Sequence, residues 1–267
     1  MIIKASSADS TEQRFDHYVD LLAVAIGDAD RRAPLRAYCT GLRWPVARKS
    51  VEPMAASISP ANVRSQHQST HHFVAEAPWS GRQILATVRD YALPVIEGHG
   101  QILAWIVDDT GHPNKGKPSV GVARQYCGQL GKRENCQVAV SLSVANESAS
   151  LPIASDLYLP KEWATDPERR ASVGVPAGVK FRTKPEIALS QIREALADGV
   201  RRAVVVADSA FGNDTKFRDA LTGLKLRYAV GIGPLTRVLT VILKLLRPQP
   251  RVSQIDQQEG RDHQEHD

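Results

Sequence analysis

The sequence predicts an α/β protein in which a mixed sheet, flanked by helices, follows a helical N-terminal region. Three observations carry this. Apolar residues recur at helical spacing between Thr11 and about Ile96. Beyond that point short apolar runs are broken by turn-forming residues, and two of these runs, QILAWIVDD and RAVVVADS, carry an aspartate at the C-terminal end. A strand, helix, strand, helix, strand series at the C-terminal side implies parallel pairing through crossovers. With 267 residues, 42% of them hydrophobic, the chain can bury a sizeable core.

The N-terminal region opens on FDHYVDLLAVAIG, where Phe15, Tyr18, Val19, Leu22 and Ile26 line one helix face. It carries Arg31, Arg32, Arg36, Arg43, Arg48 and Lys49, then Arg64, Arg82 and Arg89, with Trp44 and Trp79 among turn signals. Such charge forms either a solvated face or a DNA surface. Near Pro94 the period changes, and QILAWIVDD reads as a buried strand with Asp108 and Asp109 at its C-terminal end. GHPNKGKPSVG is a loop by its Gly and Pro content. NCQVAVSLSVAN and LPIASDLYLP read as two strands of a meander, joined by the turn NESAS.

KEWATDPERRASVGVPAGVKFRT is polar and interrupted by prolines, so it reads as a long connection holding a short helix. Thr183, with Glu186 three residues later, forms a capping-box pattern, and the helix it starts ends at Gly199. RAVVVADS is a second buried strand, delivering Asp208 to its end. A helix from about Asp214 to Leu221, a turn at Gly223 and a strand LRYAVGI complete the series. Past Gly233, PLTRVLTVILKLLRPQP has amphipathic spacing, whereas RVSQIDQQEGRDHQEHD has no core pattern and is expected to be a disordered tail.

The composition narrows the function classes. No apolar run approaches the roughly 18 residues that span a bilayer, and the first residues lack a secretory core, so a cytoplasmic protein is expected. Cys39, Cys127 and Cys136 are far apart and odd in number, which suggests neither a disulfide framework nor a structural zinc site. The net charge of +5 favours polyanionic partners, though only modestly.

Two apolar strands that bring aspartates to one sheet edge suit a hard divalent cation, which prefers carboxylate oxygens. Asp108 and Asp208 are the candidate pair. In a two-metal site one ion activates the attacking water or hydroxyl and the other stabilises the leaving oxygen of a phosphodiester. The plain alternative is that each aspartate caps the turn or helix that follows it. Asp109 cannot share a metal with Asp108 without a bend, because adjacent strand residues point to opposite faces. Lys115, Lys117, Arg124 and Lys132 are candidates for phosphate contacts, weighed equally against solvated positions. His71 and His72 lack partners at ligand spacing and read as packing or surface residues. The run DDTG also raises an aspartate-nucleophile phosphohydrolase, but its aspartates are adjacent rather than spaced by one residue.

The stretch IVDDTGHPNKGKPSVGVARQYCGQLGKRENCQVAVSLSVAN resembles the first catalytic block of bacterial insertion-sequence transposases of the DDE class. LYLPKEWATDPERRASVGVP and FRTKPEIAL are similar to the same family, and VVADSAFGNDTKFRDAL resembles its second catalytic block. RKSVEPMAA and HHFVAEAPW resemble its N-terminal region, so the likeness covers roughly Asp16 to Gly233. It implies an RNase H-like catalytic domain, with Asp108 and Asp208 as the first two acids. It also implies Mg²⁺ as the working ion, with Mn²⁺ as a substitute, and DNA as the partner: element terminal inverted repeats and target DNA, bound by a homo-oligomer.

The expected organisation is a helical, DNA-binding region over residues 1–97, an incomplete catalytic domain over 98–233 and a divergent tail over 234–267. The third acid, a glutamate on a later helix in the family, has no counterpart in a patterned helix here. Glu259 and Glu265, the late glutamates, sit in the polar tail. The chain is therefore expected to be cut short and to cleave little alone, with a non-catalytic DNA-binding inhibitor or pseudogene product as the alternative.

Overall fold

The computed structural model describes residues 10–114, 116, 118–234 and 236. Its first helix, α1 (Thr11–Ile26), begins with a capping box: Ser10 accepts from the Gln13 N–H while the Gln13 side chain accepts from Ser10. Gly27, at φ 77°, ends it in the left-handed conformation that glycine adopts without a Cβ penalty. The buried face predicted for this helix is observed, with Val19, Leu22 and Ile26 all inside. Next come α2 (Arg32–Arg43), α3 (Val51–Ile58), α4 (Val63–Ala75) and α5 (Gly81–Gly98). Leu35 and Phe73 join the α1 residues in one core, on which Ile84 and Val88 of α5 also pack.

Helix α5 runs through Pro94 instead of ending there. Its last turns place Leu93 and Ile96 against the core of the sheet, so one helix is shared by both clusters. This change of partner explains the change of period near Pro94: the helix persists, but it packs against something new.

The sheet is built from β1 (Ala104–Pro113), β2 (Ala123–Cys127), β3 (Lys132–Ala145) and β4 (Ser150–Tyr158), all joined antiparallel through β3. Two short helices, α6 (Lys161–Ala164) and α7 (Pro167–Ser172), occupy the proline-interrupted connection. Then follow α8 (Lys184–Ala197), β5 (Val204–Ala207), α9 (Ser209–Gly212), α10 (Thr215–Gly223) and β6 (Tyr228–Val230). The strand order is β2-β3-β1-β5-β6 with β4 also on β3, and β1, β5 and β6 run parallel. The mixed sheet is thus antiparallel on one side and parallel on the other, as the sequence predicts.

Alternation along β3 shows which face is the core. Val138, Val140, Leu142 and Val144 are fully buried, while Ala139, Ser141, Ser143 and Ala145 between them are half-buried. Ile187, Ala188, Ile192 and Ala195 of α8 close over the buried face, together with Trp105, Val107 and Val205. Each large aliphatic side chain so enclosed contributes about 1.5–3 kcal/mol.

Two local expectations need correction, and one strand has no counterpart among them. Gly111, His112 and Pro113 belong to β1, which continues past the acids because β3 pairs with it as far as Cys136. Strand β2 carries no strong apolar alternation of its own and is held by β3. Strand β5 is not buried on both faces, since Val206 is 38% exposed. The described residues up to Gly233 form one compact unit. Of the tail expected over 234–267 only Pro234 and Thr236 fall within the described residues. No helix among the described residues is long and apolar enough to cross a membrane.

Candidate active site

Parallel pairing in register brings Ala104 beside Val204 and Val107 beside Ala207. The next residue in each chain segment is an acid, so Asp108, midway along β1, lies beside Asp208, the first residue past β5, at the strand spacing of about 4.8 Å. Strand β5 ends at Ala207 because Asp208 starts a helix. Asp208 Oδ1 accepts from the Ala210 N–H at 2.9 Å, which makes Asp208 the N-cap of α9. The capping role and the site role are therefore compatible: the cap fixes the carboxylate at the sheet edge.

Backbone clearance also fixes it there. A Cβ on Gly212 would lie 1.9 Å from the Gly231 carbonyl oxygen, and one on Gly231 would lie 2.9 Å from the Ser209 nitrogen. Only glycines at both positions let the end of β6 approach the Asp208 turn this closely. Asn213 adds a tie, its Oδ1 accepting from the Gly233 N–H at 2.7 Å.

Asp108 reaches solvent, yet its pKa is raised. Partial desolvation is the largest cause; the Asp109 N–H, donating to Asp108 Oδ1 at 2.8 Å, opposes it, and the negative charges of Asp109 and Asp208 raise it further. No ion pair reaches Asp108 or Asp208 from a Lys or Arg among the described residues, whereas Asp109 has one. Such uncompensated, adjacent carboxylates fit a divalent cation of the Mg²⁺ kind, which is held by one or two carboxylates and keeps several waters. No group of three or more His, Cys, Asp or Glu side chains among the described residues is placed to hold a metal.

Asp109 has a different fate. It lies on the face that α8 covers and meets Lys184 Nζ at 2.6 Å, with the two side chains 22% and 26% exposed. Lys184 is the first residue of α8, after the N-cap Thr183, whose capping box with Glu186 forms as predicted. A cation is disfavoured at this positive helix end, so Asp109 rather than the helix accounts for it. The same Nζ lies 5.6 Å from the Tyr158 ring centroid.

Beneath α8 the register aligns Asp109, Val140 and Asp156 across β1, β3 and β4. Gln191, 1% exposed, donates from Nε2 to the Val140 carbonyl at 2.9 Å and to Asp156 Oδ2 at 3.1 Å. Sequence reasoning did not single out Lys184, Asp156 or Gln191. One signal was present: Gln191 interrupts the apolar stripe Ile187, Ala188, Ile192, Ala195, and Lys184 lies two turns earlier on that stripe.

The remaining candidates are placed apart from the acids. Arg124 is exposed on β2, and Lys132 opens β3, paired with Glu134 at 3.5 Å. Along β3, Lys132 lies some nine residues from Ser141, the partner of Asp108, or roughly 30 Å of strand. Lys115 and Lys117 lie outside the described residues. His71 is exposed and stacks on His67 with ring centroids 5.8 Å apart, and His72 is exposed.

Comparison with known proteins bears on this geometry. A "Probable transposase for insertion sequence element IS701" from Microchaete diplosiphon is 35% identical over 166 residues, which cover 62% of this chain and 40% of that protein. A family model described as DDE superfamily endonuclease matches residues 21–263, which takes in both aspartates and continues past Gly233. By that match, over most of its length, the chain belongs to the DDE superfamily endonuclease family.

Proposed function

We propose that this chain acts in insertion-sequence transposition as a Mg²⁺-dependent DNA strand-cleaving and strand-transferring protein, with Asp108 and Asp208 as metal-holding carboxylates. The observation that carries this is the in-register delivery of two acids, with no cationic partner among the described residues, to one edge of the parallel sheet. The name of the relative from Microchaete diplosiphon supports transposition as the setting. When bound, a divalent cation at such a site supplies activation of the attacking oxygen and stabilisation of the leaving oxygen of a phosphodiester. Asp208, fixed by its cap to Ala210, and Asp108, fixed by the Asp109 N–H, present carboxylate oxygens in a constant geometry. The substrates in this reading are the element's terminal inverted repeats and target DNA, engaged by a homo-oligomer.

A second reading is favoured by one observation: only two carboxylates converge among the described residues. Under it, cleavage by this chain alone is weak, and the chain occupies DNA ends without cutting them. One assay separates the readings, namely nicking of a supercoiled plasmid carrying the element's ends, with Mg²⁺ or Mn²⁺, for the wild type and Asp208→Ala. Nicking lost in the variant supports the enzyme. Absent nicking, with metal-induced thermal stabilisation retained by the wild type and lost in the variant, supports the binding-only reading. Robust nicking that survives Asp208→Ala refutes the assignment of the site.

A further inference from the structure

The structure sorts the cations of the N-terminal region. Arg31 pairs with Asp28 at 3.3 Å, Arg32 with Asp20, and Arg36 with Asp16 and Glu12. Arg82 pairs with Glu194 and Arg89 with Asp198, which ties α5 to α8. Arg43, Arg48, Lys49 and Arg64 pair with no acid among the described residues; Arg43 ends α2, and Arg48 and Lys49 fall in the turn that follows it.

Trp44 stands at the centre of that turn and differs from the chain's other tryptophans. The indole N–H groups of Trp79, Trp105 and Trp163 donate to the carbonyls of Phe73, Arg201 and Val122 at 2.9, 3.0 and 2.7 Å. Trp105 and Trp163 are fully buried, and Trp79 lies 6.0 Å from Phe73, centroid to centroid. Trp44 is 50% exposed, and among the described residues its indole N–H has no acceptor and its ring no aromatic partner. The backbone explains this. Trp44 precedes Pro45, which disfavours helical backbone, so it is extended at φ −70° and ψ 141°, and α2 stops at Arg43.

The turn is also built to stay in place. The Trp44 N–H donates to Thr40 at 3.1 Å, its carbonyl accepts from the Val46 N–H at 2.8 Å, and Lys49 Nζ donates to the same carbonyl. The Arg43 guanidinium lies 4.2 Å from the Phe15 ring centroid. The result is an exposed indole in a seven-residue segment that also carries Arg43, Arg48 and Lys49, with Glu52 the nearest acid in sequence. An exposed aromatic ring on a segment rich in cations and free of acids matches an unpaired base on its phosphate strand.

We propose that the Arg43–Lys49 turn binds a single-stranded segment of DNA, with Trp44 stacking on a base and Arg48 and Lys49 on flanking phosphates. The proposal rests on the reading that the chain acts on DNA, but it does not require Asp108 or Asp208 to cleave. The test is a titration of a fluorophore-labelled oligothymidylate of about fifteen nucleotides with the full chain, followed by anisotropy, in EDTA so that no cleavage occurs, with tryptophan emission of the wild type recorded alongside. The same titration is run with a blunt duplex.

The expected results are quenching of emission on binding the single strand and an affinity loss of roughly tenfold in Trp44→Ala. Trp44→Phe retains a ring and is expected to keep most of the affinity, which separates lost stacking from lost folding. Arg48→Ala/Lys49→Ala is expected to lower the slope of log affinity against log salt by about 1.4. Unchanged affinity in Trp44→Ala, an equal loss on the duplex, or a preference for RNA of the same sequence would overturn the proposal. Failure of the plasmid nicking assay with this binding intact would leave it standing and remove only the catalytic reading.

Discussion

Lys184 and Asp109 allow the division of labour between the two adjacent acids to be measured. At 2.6 Å the gross Coulomb attraction is about 6 kcal/mol at an effective dielectric of about 20. Desolvation offsets most of that, and water still reaches side chains that are 22% and 26% exposed. A charge-assisted hydrogen bond in such a setting contributes about 1.5–3 kcal/mol net, and about 2 kcal/mol is appropriate after screening. Lys184→Met should therefore lower the unfolding free energy by about 1.5–2 kcal/mol, a few tenths being recovered by removing a cation from the start of α8. Over a unit of this size that corresponds to a fall in Tm of roughly 3–8 °C. A urea-denaturation double-mutant cycle with Asp109→Asn should return a coupling near 2 kcal/mol. Asp109→Asn should also keep the stabilisation that Mg²⁺ gives the wild type, because its carboxylate points away from Asp108. Coupling below about 0.5 kcal/mol would show that the pair does not hold the strand in place. Loss of the Mg²⁺ effect in Asp109→Asn would show that Asp109 holds the metal, which refutes the two-face argument.

Asp108→Asn should raise Tm in EDTA and abolish stabilisation by Mg²⁺. Ligand at ten times its Kd stabilises by about 1.4 kcal/mol, a rise of roughly 3–6 °C in the wild type. The pH dependence follows from the raised pKa of Asp108: between its unfolded and folded pKa values the native state binds more protons than the unfolded one. Stability therefore falls as pH rises through that window, which starts at the ordinary carboxylate value and extends upward. The stability advantage of Asp108→Asn should accordingly grow with pH across the window and be small below it; an advantage that shrinks as pH rises would contradict the assigned cause. Gly212→Ala places a Cβ 1.9 Å from the Gly231 carbonyl oxygen, so it should cost about 3 kcal/mol and displace Asp208. Equilibrium unfolding would measure the cost, and a variant as stable as the wild type with its Mg²⁺ response intact would contradict the packing.

Much of the fold was legible because the relevant signals are local. The apolar period of α1, the capping box at Thr183 and the apolar runs of β1 and β5 are each decided within a few residues. The parallel series was legible from element order. What was not legible depended on partners distant in sequence. Strand β2 exists because β3 pairs with it, and β1 continues through a Gly- and Pro-containing segment because Cys136 to Gln137 of β3 continue opposite it. Asp108 and Asp208 could be named from their place at the ends of apolar runs, but their side-by-side placement needed the register of β1 on β5. Lys184 could not be paired with Asp109 from the sequence, since 75 residues separate them.

The two faces of β1 also explain why two adjacent acids in one strand require opposite surroundings. Parallel strands are ordinarily covered on both faces, which is why they read as continuous apolar runs. Here α8 covers only the face of Trp105, Val107 and Asp109, and Asp109 can be enclosed there because Lys184 neutralises it. On the other face Ile106 is half-buried, Val206 is 38% exposed and Asp108 reaches solvent. A carboxylate enclosed without a cation is costly, so Asp108 belongs on the face left open. An open face is also what a phosphodiester must have to approach two carboxylates on a rigid sheet. Shifting β1 by one residue would turn Asp108 to the face that α8 covers and Asp109 to the open face, and would turn Trp105 and Val107 out of the core. The burial of those two side chains therefore fixes which aspartate is available for chemistry.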